Sequence, residues 1–285
     1  MKISFIGLGI MGSRMAQNLV KNGVELTVTN RSATPVEQLV AAGAKGAESY
    51  QEAVQGADIV FTMLANPSVV DEVAFGAAGF VSHMPADALW VDCSTNNPSF
   101  ATAMASRAEA AGIRYLEAPV AGTKPHAQNA ELVIFAGGAA EHLAQAQPLL
   151  DFMSKKTVHV GEVGKGSALK MLVNGMLAQS MIVFSEAVLL GEKMGLDRDF
   201  LLNFLPKTAV APPFTAFKAS MIKEGNYEVQ FPLELMQKDL HLLSQTAYEL
   251  GHPMYLANLA KELFALAKAK GLGRLDFGAI HEALG

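Results

Sequence analysis

Lys2-Ile-Ser-Phe-Ile6-Gly7-Leu8-Gly9-Ile10-Met11-Gly12, followed by Met15, Ala16, Leu19 and Val20, decides the fold. A short β-rich run meets three glycines, and apolar residues then recur at helical spacing until Gly23. Gly7 permits a tight turn, Gly9 lets the backbone approach a pyrophosphate, and Gly12 allows a helix to pack closely on a strand. The free N–H groups of the helix start then face the phosphates. A bare G-x-G-x-x-G is a weak signal. Set between a strand and a helix, it predicts a dinucleotide cradle formed by Gly7, Leu8, Gly9, Ile10, Met11 and Gly12.

The second strand, Glu25-Leu-Thr-Val-Thr29, ends in Asn30-Arg31-Ser32. An NAD site usually has an acidic residue here to accept from the ribose 2′-hydroxyl. None is present. A guanidinium beside a small hydroxyl suits a 2′-phosphate instead, so Asn30, Arg31 and Ser32 point to NADP.

The β/α alternation continues. Strands are expected at Asp58–Leu64, Ala88–Asp92, Ile113–Ala118, Glu131–Phe135 and Lys156–Val160, and a helix at 139–153. Polar loops follow several of them: Leu64-Ala65-Asn66, Ser94-Thr95-Asn96 and Gly122-Thr123-Lys124. Ligands of open α/β sheets collect at such carboxyl ends. For Ser94, Thr95 and Asn96 taken alone, ordinary capping of a helix begun by Pro98 is the favoured reading over ligand binding.

Beyond Gly161 the strand pattern stops. Gly161-Glu-Val-Gly164-Lys165-Gly166 opens a long apolar helix to about Met194, on which Lys170 and Asn174 share a face. Lys170 either snorkels to water from a buried helix or serves as an acid tuned by apolar neighbours. Further helices are expected after Asp197, from Phe214, from Pro232, from Met254 and after Asp276. The pattern predicts an α/β N-terminal domain with a Rossmann-type doubly wound sheet (1–162). An all-α C-terminal domain (163–285) follows, joined to it by the long helix. Gly164-Lys165-Gly166 is not a P-loop, because the spaced preceding glycine and the following Ser or Thr are missing.

The chain has 285 residues, half of them hydrophobic, and a net charge of −5 without basic runs, which argues against nucleic acid as a partner. Cys93 is the only cysteine and no H-x-x-H pattern occurs, so neither disulfides nor a metal site are expected. No uninterrupted apolar run reaches membrane-spanning length, and no signal-peptide core precedes the first strand. A soluble cytoplasmic protein without a membrane partner is the expectation. The broad apolar stripes of the helical half predict a homodimer or homotetramer.

Taken together, the motifs resemble those of the β-hydroxyacid dehydrogenase (3-hydroxyisobutyrate dehydrogenase-like) family. The resemblance covers Gly7–Leu19, Asp92-Cys-Ser-Thr95, Glu117-Ala-Pro-Val-Ala-Gly122, Gly164-x-Gly166-x-x-x-Lys170-x-x-x-Asn174 and Lys238-Asp239. Asn30-Arg31-Ser32, Glu117 and Lys124 are similar to the glyoxylate/succinic semialdehyde reductase subgroup, which implies NADP(H). The resemblance implies that Lys170 is the proton donor to a carbonyl oxygen and that Asn174 holds substrate and Lys170. It implies that Ser94, Thr95, Gly122 and Thr123 bind a substrate carboxylate, with Phe231 and Asp239 closing the site. Leu64, Ala65, Thr95 and Lys238 would lie along the cofactor. Ala121, His126 and Ala130 depart from the subgroup, which has serine, proline and glycine there. The implied reaction is reversible hydride transfer between NADP(H) and a small aldehyde or β-hydroxy acid. Imine reduction on the same scaffold, or a non-catalytic NADP-binding sensor, are the alternatives, and retention of Lys170 argues against both.

Overall fold

A computed structural model describes all of residues 1–285. The chain divides into two compact units, Met1–Lys170 and Met171–Gly285.

In the first unit, strands and helices alternate: β1 (Ile3–Ile6), α1 (Gly12–Lys21), β2 (Leu26–Thr29), α2 (Ala33–Ala41), β3 (Lys45–Gly46), α3 (Tyr50–Val54), β4 (Ile59–Thr62), α4 (Pro67–Phe75), β5 (Leu89–Asp92), α5 (Pro98–Ala110), β6 (Arg114–Glu117), β7 (Val120–Ala121), α6 (Lys124–Gln128), β8 (Leu132–Gly137), α7 (Ala140–Leu150) and β9 (Ser154–Gly161). The sheet runs β3-β2-β1-β4-β5-β6-β8-β7, with β9 also paired to β8. From β3 to β6 every pairing is parallel, and β8 then runs antiparallel to β6. The strand order reverses at β1/β4, the switch point at which doubly wound sheets bind dinucleotides.

Helices cover both faces, so β1, β4 and β5 are buried throughout. Alternation splits their side chains between two cores. Phe5, Phe61 and Val91 join Met15 and Leu19 of α1 on one face. Ile6, Val60 and Trp90 join Val70, Phe80 and Tyr115 on the other. Trp90 meets Phe80 and Tyr115 edge-on, at 5.3 and 4.9 Å between ring centroids.

The long helix α8 (Lys165–Lys193) begins in the first unit and continues through the second. The second unit then adds α9 (Arg198–Phe204), α10 (Thr215–Glu224), α11 (Leu233–Glu249), α12 (Tyr255–Ala267) and α13 (Ile280–Leu284). Asp197 caps α9 by accepting from Phe200 N at 2.7 Å, as its sequence position predicts. Ala178, Met181, Phe184 and Val188 of α8 pack with Leu233, Met236, Leu240, Phe264 and Phe277.

The helix–strand pattern of the sequence is therefore found, with additions. Strands β3 and β7 and helices α3 and α6 are too short to produce a readable period. Helix α8 contains no uninterrupted apolar run of membrane-spanning length, yet its 29 residues and a mean hydropathy of 1.5 in its most apolar window make it long and apolar enough on average to cross a membrane. Small and polar residues interrupt the apolar run in the sequence without lowering the average below the spanning range. In the structure, one stripe of this helix faces the all-α core.

Ala130 has φ +57°, in the left-handed region just past the end of α6. The Glu131 N–H closes this turn onto His126 O at 2.8 Å. Glycine is the residue that suits this position without a Cβ clash. Ala130→Gly is expected to stabilise the protein by up to about 1 kcal/mol, raising Tm by ~2 °C in a thermal melt, with no change in secondary structure.

Candidate active site

The glycine turn after β1 is built by two constraints of the protein and a third feature that the protein does not require. Gly7 has φ +98°, and a methyl group there would lie 2.4 Å from the Met63 carbonyl oxygen. A methyl at Gly12 would lie 2.0 Å from the Gly7 carbonyl oxygen, so α1 packs directly on the turn. At Gly9 a methyl group would meet nothing within 4 Å, and its backbone has no positive φ. Neither strain nor packing accounts for glycine at this exposed position. Close approach of a ligand's phosphates does, and this is the fit of the turn to a dinucleotide.

Asn30 ties the end of β2 to the turn: its Oδ1 accepts from Leu8 N at 3.0 Å, and its Nδ2 donates to Ser32 O at 3.2 Å. Arg31 and Ser32 are exposed beside it. Ser32 stands at the N-cap of α2 but its side chain makes no capping bond. In the chain, no acidic residue follows β2 where an NAD site has one.

A buried polar network organises the next two strand ends. Asp92 accepts from Thr62 Oγ1 (2.8 Å), Ser94 N (3.0 Å) and Asn96 Nδ2 (2.8 Å), while Trp90 Nε1 donates to Thr62 Oγ1 (2.8 Å). Ser94 Oγ accepts from Leu64 N at 2.9 Å, joining the loops after β4 and β5. Burial pushes the Asp92 carboxyl above the usual carboxylate range, and its donors oppose that shift. Burial likewise pushes the Cys93 thiol up, which makes it inert. Ser94 and Asn96 are thus not helix caps. The N-cap of α5 is Asn97, without a side-chain capping bond. Ser94 is 1% exposed and spends its hydroxyl on the loop, so it shapes the strand end that carries Thr95.

In the loop after β7, Gly122 and Thr123 precede α6. The Thr123 N–H donates to His126 Nδ1 at 3.2 Å, so the amide implied as a carboxylate donor is engaged by the histidine that departs from the subgroup pattern.

Glu117, at the end of β6, is the site residue whose role the sequence did not disclose. Its carboxylate accepts from Gly164 N (2.7 Å), Gly166 N (2.8 Å), Ser167 N (3.3 Å) and Ser167 Oγ (2.5 Å). It therefore caps the first turn of α8. Burial pushes this carboxyl above its usual range, and the four donors pull against that. The one signal available was local: a buried strand ending in an acid, with an amide-rich Gly-x-Gly-Ser helix start elsewhere in the chain.

Lys170 follows one turn after Ser167. It is only 6% exposed, so it does not snorkel to the surface. Another turn on, Asn174 donates from Nδ2 to Asp239 Oδ2 at 2.6 Å, and Lys238 Nζ lies 2.8 Å from Asp239 Oδ1. The second unit thus brings together Asn174, Lys238 and Asp239. Phe231 packs its ring edge-on against Phe277, 5.8 Å away.

This combination of switch-point glycine turn, polar strand ends and a buried lysine on an anchored helix is that of a nicotinamide-dinucleotide oxidoreductase. Residues 2–161 match the family model of the NAD binding domain of 6-phosphogluconate dehydrogenase. Residues 164–284 match the family model described as NAD-binding of NADP-dependent 3-hydroxyisobutyrate dehydrogenase. Two Arabidopsis thaliana proteins are similar over the chain. The chloroplastic glyoxylate/succinic semialdehyde reductase 2 is 36% identical, covering 99% of this chain and 79% of its own. Glyoxylate/succinic semialdehyde reductase 1 is 34% identical, covering 100% and 98%. The solved structure of Mycobacterium tuberculosis 3-hydroxyisobutyrate dehydrogenase with L-serine matches with a TM-score of 0.89 at 30% identity, over 99% of this chain and 98% of that one. The chain belongs to the 3-hydroxyisobutyrate dehydrogenase-like family of β-hydroxyacid dehydrogenases.

Gly9→Ala is expected to leave folding stability within about 0.5 kcal/mol of the parent protein, since the methyl enters open space. The Kd for the reduced dinucleotide should rise ~10-fold or more, a loss of about 1.4 kcal/mol measurable by cofactor fluorescence titration.

Proposed function

We propose that this protein is an NADPH-dependent reductase of small carbonyl acids of the glyoxylate or succinic semialdehyde type, producing the corresponding hydroxy acid. The single observation that carries this reading is Lys170: a lysine with 6% exposure, one turn from a helix start pinned by a carboxylate, in a chain of this family. When bound, the reduced nicotinamide supplies the hydride to the carbonyl carbon. Lys170 Nζ–H donates a proton to the oxygen as negative charge develops there, and the resulting amine recovers its proton from solvent. Asn174, held by Asp239, stands one turn away to position the substrate oxygen. Thr95 and the amides of Gly122 and Thr123 receive the carboxylate, and the His126 ring yields the Thr123 N–H on binding.

The preference for NADP rests on charge. Exposed Arg31 and the uncapped Ser32 hydroxyl suit a 2′-phosphate, and no carboxylate stands at the end of β2 to accept from a ribose hydroxyl. The substrate class rests on the similarity to the two plant reductases and on the strand-end polar loops.

The same reading includes self-association. Leu172, Met176, Val183 and Leu190 of α8, with Met194 just past its end, recur at steps of four and seven residues and are 55%, 71%, 65%, 63% and 72% exposed. A continuous apolar stripe of this length on a single chain supports a second copy of the chain as its cover.

The reading is tested at 340 nm with glyoxylate and succinic semialdehyde, each with NADPH and NADH, and with the corresponding hydroxy acids, each with NADP+ and NAD+. Turnover with NADPH is expected, and Lys170→Ala should lower kcat by ~10²–10⁴-fold while the variant still binds cofactor. Near-parental turnover in a folded Lys170→Ala protein would refute the mechanism, and an NADH preference would refute the reading of Arg31. Light scattering is expected to give a dimer or tetramer mass, with Leu190→Glu shifting it toward monomer.

A further inference from the structure

Within the second unit, the all-α core contains a buried ion pair that the proposed reaction does not use. Lys218 Nζ on α10 lies 2.5 Å from Asp276 Oδ1, and their side chains are 3% and 0% exposed. Burying two charges is expensive, and apolar residues of equal volume often serve stability as well or better. Stability alone is therefore a weak reason for this pair in a core of Met, Leu and Phe.

The remaining contacts of Asp276 suggest another. Its Oδ2 accepts from the backbone N–H of Gln230 and of Phe231, both at 3.1 Å, and Oδ1 also accepts from Gly278 N at 2.8 Å. Four donors saturate the carboxylate, two of them from consecutive residues of the segment that enters α11. That segment is bound again around the same point: Phe277 N donates to Phe231 O at 2.9 Å, and Leu233 N to Leu275 O at 2.9 Å. Lys218 Nζ also lies 4.2 Å from the centre of the Phe277 ring, the ring against which Phe231 packs. Burial pulls the Lys218 amine below its ordinary range, and Asp276 opposes this. A single buried pair thus holds the backbone of Phe231, the platform of its ring and the start of the helix that bears Lys238 and Asp239.

We propose that Lys218 and Asp276 are positioning residues for substrate recognition: they fix Phe231 and the first turn of α11, and act on the carbonyl substrate only through them. This rests on the proposed function and on the role that the family resemblance implies for Phe231 and Asp239, closing the substrate site. The pair touches neither substrate nor cofactor, and its removal should be felt in substrate KM more than in cofactor affinity or in the acid step.

The test compares the full-length parent protein, Phe231→Ala and the neutral double variant Lys218→Met/Asp276→Asn, with glyoxylate and succinic semialdehyde as probes. Asp276→Asn alone is the second variant should the double variant not fold. The expected result is a KM raised ~10-fold or more in both Phe231→Ala and the pair variant, with kcat within about threefold and NADPH Kd within about twofold. Hydrogen exchange at the Gln230 and Phe231 amides should accelerate at least ~10-fold in the pair variant. If Phe231→Ala raises KM but the folded pair variant does not, the positioning role is overturned and the pair is structural only. If Phe231→Ala leaves KM unchanged in an active parent enzyme, the placement of Phe231 fails and the proposal with it. Lack of turnover by the parent protein with both probes would instead refute the function on which the proposal stands.

Discussion

The structure depends on a buried carboxylate bound at the start of a helix. Glu117 ends a parallel strand, and its oxygens take three backbone N–H groups and one hydroxyl from the first turn of α8. A helix start carries about half a positive charge and several unsatisfied N–H groups. A carboxylate without partners in this place would cost several kcal/mol, and these helix amides without an acceptor would add to that cost. Together each offsets the other, and the charge-assisted bonds are short and directional. The approach is close enough that a methyl at Gly166 would lie 2.4 Å from the Phe135 carbonyl oxygen and 3.1 Å from Glu117. The glycines before Lys170 are therefore not merely a flexible joint. They allow the helix to be pinned to the sheet, which fixes the azimuth and depth from which Lys170 projects.

A second device operates at the neighbouring strand ends. Asp92 collects Thr62, Ser94 and Asn96, with Trp90 bound to Thr62 behind them. Such networks are costly when incomplete and rigid when filled. Here they hold the loops after β4 and β5 in one mutual arrangement. Thr95 then sits on a framework set by groups that need never touch a substrate. In the second unit, Asn174 with Asp239 and Lys218 with Asp276 repeat the theme of buried polar groups paired across long stretches of the chain.

Much of this was legible in the sequence because it is local. The glycine turn, the strands at Ile59–Thr62 and Leu89–Asp92, the Asp197 cap and the long, mostly apolar helix α8 each arise from residues a few positions apart. The sharing of one helix face by Lys170 and Asn174 is likewise a matter of spacing. The average apolarity of α8 is less legible than its spacing. Scanning for unbroken apolar runs misses a helix whose average is apolar but whose polar and small residues are distributed along it. Capping was the favoured reading of Ser94 and Asn96, but the helix is capped at Asn97 and both side chains join the strand-end network.

By itself, then, the sequence determined the order of elements, the dinucleotide turn, the lack of an acid after β2 and the candidate acid Lys170, since each follows from periodicity or from the chemistry of adjacent residues. Tertiary structure alone decided that Glu117 caps a helix 47 to 50 residues away, that Asn174 is held by Asp239, 65 residues on, and that Asp276 pairs with Lys218 across 58. It also showed that Gly9 serves neither strain nor packing. Pairings between distant residues have no period along the chain. They are fixed only when a buried charge must find all its donors at once, and that condition exists only in the folded interior.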